Sequence, residues 1–256
     1  MQKENTKNLY DSQALDWQRE KPTLLSDFSA RPHVIEHCGD VTGKKILDLG
    51  CGEGYVSRLL IKNGCEQITG VDLSKEMISV ANQIKNEQNL DQATYISCDV
   101  NQFFEEHGEK YDIIIAVFLF NYIDIASMSH VIDKTFDLLS ENGKFIFTVP
   151  HPSLPFIKSN DFPFYFNAES GYFSGKDQLF DGKIWRLDRI PTNVQCVHKT
   201  FSDYFNVLNK SPYRSIPELH ELHITEKHIA LDPEFFTPLA DLPLHVLFKL
   251  SKQSVC

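Results

Sequence analysis

The 256-residue chain lacks several features that would decide its class at once. None of its six cysteines (Cys38, Cys51, Cys65, Cys98, Cys196, Cys256) stands at C-x-x-C spacing. Scattered cysteines in a chain of this size predict reduced thiols, not a disulfide framework. No apolar run approaches the roughly 20 residues of a membrane span, so no membrane role is expected. The first residues, MQKENTKNLYDSQ, lack the apolar centre of a secretory signal, which points to the cytoplasm. There is no Lys/Arg run, and a net charge of −10 offers no bulk attraction to a phosphate backbone. Internal repeats and low-complexity stretches are absent as well. What remains, 42% hydrophobic and 23% charged residues, is the composition of one ordinary globular domain spanning 1–256.

Histidine is not scarce: there are ten, three of them (His220, His223, His228) in ELHELHITEKH. The stretch reads as a half-exposed strand and its following turn. It shows no further ligand at a structural-zinc spacing, so no resident metal is expected.

From Lys44 to Pro150 strand and helix patterns alternate. KILDL (45–49), QITGVDL (67–73), ATYISCD (93–99), YDIIIAVF (111–118) and KFIFTVP (144–150) read as short, buried strands. Between them lie helical patterns at 55–64, at 74–87 behind a Ser74 N-cap, and at 127–143, where Asn-Gly closes the helix. Apolar strands alternating with helices predict a doubly wound, Rossmann-like α/β sheet covered on both faces. Residues 151–200 break the alternation, rich in aromatics, Pro and Gly, and read as an excursion over one sheet edge. A helix at 200–211 and strands at 216–225 and 242–251 then complete seven strands, mostly parallel, the last antiparallel. The organisation expected is a helical lid (1–43), a cofactor-binding core (44–150), a substrate cap (151–200) and sheet completion (201–256).

In ILDLGCGEGYVSRLL (46–60), three glycines stand at alternate positions where the first strand turns into its helix. A glycine there lets a ligand approach bare main chain and tolerates positive φ. A tight turn without a ligand would explain one of them, but explains Gly50, Gly52 and Gly54 together poorly. The dinucleotide fingerprint G-x-G-x-x-G is the rival reading, but the third glycine comes one place early, and Asp48 precedes the loop. A carboxylate repels a pyrophosphate and attracts an ammonium. The site therefore suits a nucleoside that carries positive charge and no phosphate.

D-x-G-x-G-x-G at this position resembles the cofactor loop of the class I S-adenosylmethionine-dependent methyltransferases, in flavour the type-11-like small-molecule members. Further segments fall in register over about residues 9–151. The resemblance implies that Asp72, in GVDLS, accepts hydrogen bonds from the ribose hydroxyls, and that Asp99, with the Val100 backbone, contacts adenine. It also implies that Val117 and Phe118 face the methionine end and that Tyr10, in LYDSQALDW, belongs to a closing lid. Cys51, Leu73 and Met77, beside these positions, join the expected S-adenosylmethionine set.

Methyl transfer is an in-line displacement that demands alignment and, for some acceptors, a base. The N/D-P-P-Y/F segment of enzymes that methylate base amines is missing: VFLFN stands there, and nucleic acid is disfavoured as a partner. The aromatic excursion fits a lid over a small organic acceptor, though the same rings could form the core of the excursion itself. His151, between Pro150 and Pro152, is the first candidate base, with a turn-forming role as its alternative. His198 is the second candidate, and Asp203 could orient either. Transfer to oxygen or nitrogen is expected. The alternatives are C-methylation of a quinone-like metabolite, or cofactor binding without turnover.

Overall fold

The strand segments are apolar along their whole length because helices bury them from both sides. The computed structural model describes residues 2–157 and 161–252. Three helices come first: α1 (Gln2–Trp17), α2 (Leu25–Ser29) and α3 (Arg31–Cys38). The chain then alternates through β1 (Lys45–Leu49), α4 (Tyr55–Lys62), β2 (Gln67–Asp72), α5 (Lys75–Gln88) and β3 (Ala93–Ser97). It continues with α6 (Val100–Glu106), β4 (Tyr111–Val117), α7 (Ile125–Leu138) and β5 (Leu139–Pro150). Next come β6 (Phe164–Phe166), β7 (Leu179–Trp185), β8 (Pro191–Val197) and α8 (Phe201–Lys210). The last elements are β9 (Glu218–Leu222), α9 (Glu226–Leu231), α10 (Pro233–Phe236) and β10 (His245–Ser251).

The main sheet has seven strands in the order β3-β2-β1-β4-β5-β10-β9. β1 to β5 pair in parallel, and β10 runs antiparallel to both β5 and β9. This is the Rossmann-like architecture expected from the alternation, with the antiparallel strand seated inside the edge pair. Successive strand residues point to opposite layers. Ile46, Ile113, Ile115 and Leu247 pack with Val34, Leu60 and Ile78 of α3, α4 and α5. Leu47, Ile114, Phe147 and Phe248 pack on the other side with Phe103, Met128, Ile132 and Leu208 of α6, α7 and α8. Ser74 caps α5 by accepting the Met77 N–H, as its residue type predicts.

Two segments depart from expectation. The helix expected to run to Asn-Gly ends at Leu138, and Leu139–Gly143 extends β5 instead. Leu139 pairs with Tyr111, and the register resumes at Lys144 opposite Ile113 after an irregularity. Asn142 takes φ 61°, so Asn-Gly bends a strand here instead of closing a helix. The excursion after β5 contains an antiparallel sheet, β6-β7-β8, that no clear alternation announced. Among the described residues Cys38, Cys51, Cys65, Cys98 and Cys196 are free thiols; Cys256 lies outside them. No helix among the described residues is long and apolar enough to cross a membrane.

The β5–β10 contact gives a direct test of this packing. Phe248 is fully buried and stacks on Phe147 at 4.7 Å between ring centroids. Phe248→Ala should cost about 3–5 kcal/mol of stability, read as a lower midpoint in urea unfolding.

Candidate functional site

In this strand order, the crossovers from β1 and from β4 leave in opposite directions. A crevice therefore opens at their carboxyl ends. The glycine loop fills its centre and is fixed before any ligand arrives. Gly50 N–H and Cys51 N–H both donate to the Val71 carbonyl at the end of β2, at 2.8 and 3.1 Å. Gly52 has φ +56°, and a Cβ there would meet nothing within 4 Å, so this glycine leaves open room. Gly54 is different. It caps α4 in the left-handed region, and a Cβ would lie 2.5 Å from the Tyr95 hydroxyl. It is needed for packing and does not line the cavity.

Around the loop is a cavity of about 250 Å³. Tyr10, Asp48, Gly50, Cys51, Gly52, Asp72, Leu73, Met77, Asp99, Val100, Val117 and Phe118 all line it. Asp72 Oδ2 accepts the Gly52 N–H and Oδ1 the Ser74 N–H, both at 2.9 Å, so its carboxylate is held in one orientation. Burial, with Asp11 nearby, pushes its pKa up against these amides. Asp99 caps α6 through the Asn101 N–H while facing the cavity. Asp48 is 1% exposed; Ser57 Oγ donates to its Oδ2 at 2.7 Å, but Oδ1 has no partner among the described residues. Burial pushes its pKa up to about 7. A buried carboxylate with one oxygen unused is a place for a cation.

The N-terminal helices close the cavity over β1 and β2. α1 packs Ala14 on Met77, Val80 and Ile84 of α5. Its Tyr10 hydroxyl donates to Tyr122 in the loop after β4, and Ser74 Oγ donates to Asp11. Further along, Arg19 clamps Asp27 through two nitrogens at 2.8 and 3.0 Å and reaches Glu53 of the glycine loop at 3.0 Å. Arg58 pairs with Glu53 and Arg31 with Asp27, and all five side chains are at least seven-eighths buried. Burial raises the Asp27 carboxyl, but Arg31 and Arg19 outweigh it and hold the pKa low. Three guanidiniums thus face two carboxylates beside the loop.

Toward β5 and β10 the wall turns apolar, with Pro150, Leu154, Phe164, Phe166 and Ile184. His245, paired with Pro150 in register, lines this end. Ser29 Oγ donates to the Leu25 carbonyl at 3.0 Å, so the 2.9 Å contact to His245 Nδ1 is made by the imidazole N–H. That leaves Nε2 as the nitrogen with the lone pair. Burial, and Arg31 next to it, lower the His245 pKa to about 3, and the ring stays neutral. Phe118 stands between them, 5.1 Å from the His245 ring and 5.3 Å from the Arg31 guanidinium, at a positive φ of 63°. A bulky residue in that region is strained and is held there by its surroundings.

The three side chains singled out for proton transfer lie off this cavity. His151 is buried against Ser153 through Nδ1 at 2.7 Å and Glu221 through Nε2 at 2.9 Å, because it leaves β5 toward the α8 side. His198 Nε2 donates to the Tyr172 carbonyl at 2.7 Å inside the cap, and burial lowers its pKa. Asp203 closes a capping box with Thr200 and pairs with Lys176, so it orients neither histidine. Arg19, Arg31 and His245 were not singled out from sequence. His245 looked like one polar residue in an apolar strand; its only signal is the position, first in a strand that pairs against the end of β5.

The comparisons agree with this geometry. The family described as Methyltransferase domain matches residues 46–143, which hold the glycine loop and β1 to β4. An uncharacterized protein of Haemophilus influenzae is 29% identical over 136 residues, 52% of this chain and about half (53%) of its own length. A ubiquinone biosynthesis O-methyltransferase of Photobacterium profundum is 30% identical over 216 residues, 82% of this chain and 74% of that one. The magnesium protoporphyrin IX methyltransferase of Synechocystis, solved with bound SAH, superposes with a TM-score of 0.62 at 14% identity, covering 99% of this chain and 100% of that one. An orphaned carboxylate oxygen, an open glycine and an amide-held acid at the end of β2 fit the methionine ammonium and ribose of S-adenosylmethionine. The chain belongs to the class I S-adenosylmethionine-dependent methyltransferases, enzymes whose methyl donor is that cofactor.

Proposed function

We propose that this chain methylates a hydroxyl oxygen of a small, largely apolar organic acceptor, one with a ring. One observation carries the reading. Beyond Phe118 the cavity is walled by Pro150, Leu154, Phe164, Phe166 and Ile184, with a neutral histidine, His245, among them. An apolar wall with its polar groups, His245 and the Arg31 guanidinium, gathered at one end favours a flat apolar body that carries a polar substituent. Kinship with a ubiquinone biosynthesis O-methyltransferase supports oxygen as the acceptor atom.

When bound, S-adenosylmethionine supplies an electrophilic methyl group. The chain's own residues have three tasks. Asp48, Asp72 and Asp99 hold the donor along the ends of β1, β2 and β3. Tyr10 and Tyr122 cover it and exclude water. His245 Nε2 accepts a hydrogen bond from the acceptor hydroxyl and so directs an oxygen lone pair at the reacting centre. An imidazole with a pKa of about 3 aligns a hydroxyl better than it stores a proton, so the proton that the hydroxyl gives up as its oxygen takes the methyl group is passed on to solvent.

A screen of hydroxylated aromatic compounds with methyl-labelled cofactor tests the reading. Transfer of label to an oxygen supports it. Label on carbon, or cofactor binding with no labelled product across the screen and a cell extract, defeats it. On the identified acceptor, His245→Ala should lower kcat about 10–100-fold, the worth of one oriented hydrogen bond in a dry site, with unchanged affinity for S-adenosylhomocysteine. His151→Ala is the matched comparison: a larger loss there than at His245 would return the proton-transfer role to His151.

Asp48 gives a pH signature. Its carboxyl must ionise to pair with the ligand's ammonium, and its pKa stands near 7 instead of the ordinary 3.8. Affinity for S-adenosylhomocysteine should therefore rise with pH and level off above about 7, being about tenfold weaker at pH 6 than at pH 8. Calorimetry across this range should show that slope vanish in Asp48→Asn. At the other end of the donor, Asp72→Ala should weaken binding by about 1–3 kcal/mol, and undiminished affinity would remove it from the ribose site.

A further inference from the structure

We propose that His37, Glu218 and His220 form a site for a zinc-class divalent cation, away from the cavity. Glu218 and His220 are two residues apart on β9 and share the face that carries Leu222. Leu222 packs in the same layer as Val34 and Cys38, which brings that face against α3. His37 comes from the last turn of α3.

The geometry lets the three side chains share one ion. His37 Nδ1 lies 2.8 Å from the His33 carbonyl, which can only accept, so Nδ1 carries the proton and Nε2 carries the lone pair. That nitrogen lies 3.1 Å from His220 Nε2. Two imidazole nitrogens about 2.0–2.1 Å from one tetrahedral ion stand roughly 3.3–3.4 Å apart, so the rings need to part by only a few tenths of an ångström. Glu218 Oε1 is held by Lys249 Nζ at 2.9 Å, while Oε2 faces His220 Nε2 at 4.0 Å. The three ligand atoms all lie within 4.8 Å of one another.

Two imidazoles and one carboxylate select zinc and its transition-metal neighbours over magnesium or calcium, which prefer oxygen shells. The His33 carbonyl and Lys249 act behind the ligands as orienting groups do at metal sites. His37 and His220 are half-buried and Glu218 is exposed, so water can reach a fourth position. A cation there would tie α3 to the edge strand of the sheet.

The test uses untagged, chelator-treated protein titrated with Zn²⁺ against a chromophoric competitor, followed by thermal unfolding. Wild type should bind one equivalent and unfold at a higher temperature with the ion. His37→Gln and His220→Ala should each weaken binding more than about tenfold and abolish the shift, and Glu218→Gln should weaken it less. His223→Ala, outside the trio, should change nothing. Co²⁺ in place of Zn²⁺ should give visible absorption without a thiolate band, which separates this site from the free cysteines. Failure of wild type to bind one equivalent more tightly than about 10 μM overturns the proposal, since a Kd of that order is under about 7 kcal/mol and far short of a structural zinc site. Equal binding by His37→Gln and His220→Ala overturns it too, and leaves the 3.1 Å contact as a hydrogen bond between two imidazoles.

Discussion

The glycine loop gives its first amides to the strand beside it. Gly50 and Cys51 donate to the Val71 carbonyl, and Gly52 to the Asp72 carboxylate. These bonds tie the end of β1 to the end of β2 and fix the loop in its binding shape. The proposed donor site is built around that loop. Asp48 lies beneath it and Asp72 beside it, while Glu53 within it anchors Arg19 and Arg58. The amides also keep Asp72 aimed, so binding need not spend energy on ordering it.

The buried ionic cluster extends the same constraint to the N-terminal segment. Glu53 of the loop holds Arg19, and Arg19 in turn holds Asp27 of α2. Removing either sign would leave a buried charge without its partner, which costs more than the pair contributes. The cluster thus makes the lid and the loop a single unit, and the position of Arg31 beside Phe118 and His245 follows from it.

How legible the molecule was from sequence depended on whether a feature is local. The parallel core was readable because each strand and helix carries its own period. The residues proposed to hold the donor were readable as a group too, since Asp48, Gly50, Asp72 and Asp99 stand at consecutive strand ends in chain order and line one cavity. The proposed acceptor end draws on Arg31, Phe164, Ile184 and His245, which share no spacing and meet only through the fold. His151 stood out because it directly follows a strand end at the rim; its ring lies off the cavity and meets Glu221. The three strands after β5 were hidden because their aromatics serve a small core, where alternation is weak. Asn-Gly at 142–143 misled for another reason: the pair favours a left-handed backbone, which serves a strand bulge as well as a helix end.

The segment carrying β6, β7 and β8 departs from the core after β5 and rejoins it at α8. Its strands pair with each other and with no strand of the main sheet. Phe164, Phe166 and Ile184 of the proposed acceptor wall thus come from this segment, while Asp48, Asp72 and Asp99 stand at strand ends of the core. Rewriting β6–β8 would therefore reshape that wall without touching the carboxylates at the strand ends. The contacts of Leu187 with Thr23 and of Arg186 with Asp16 mark what such rewriting must preserve.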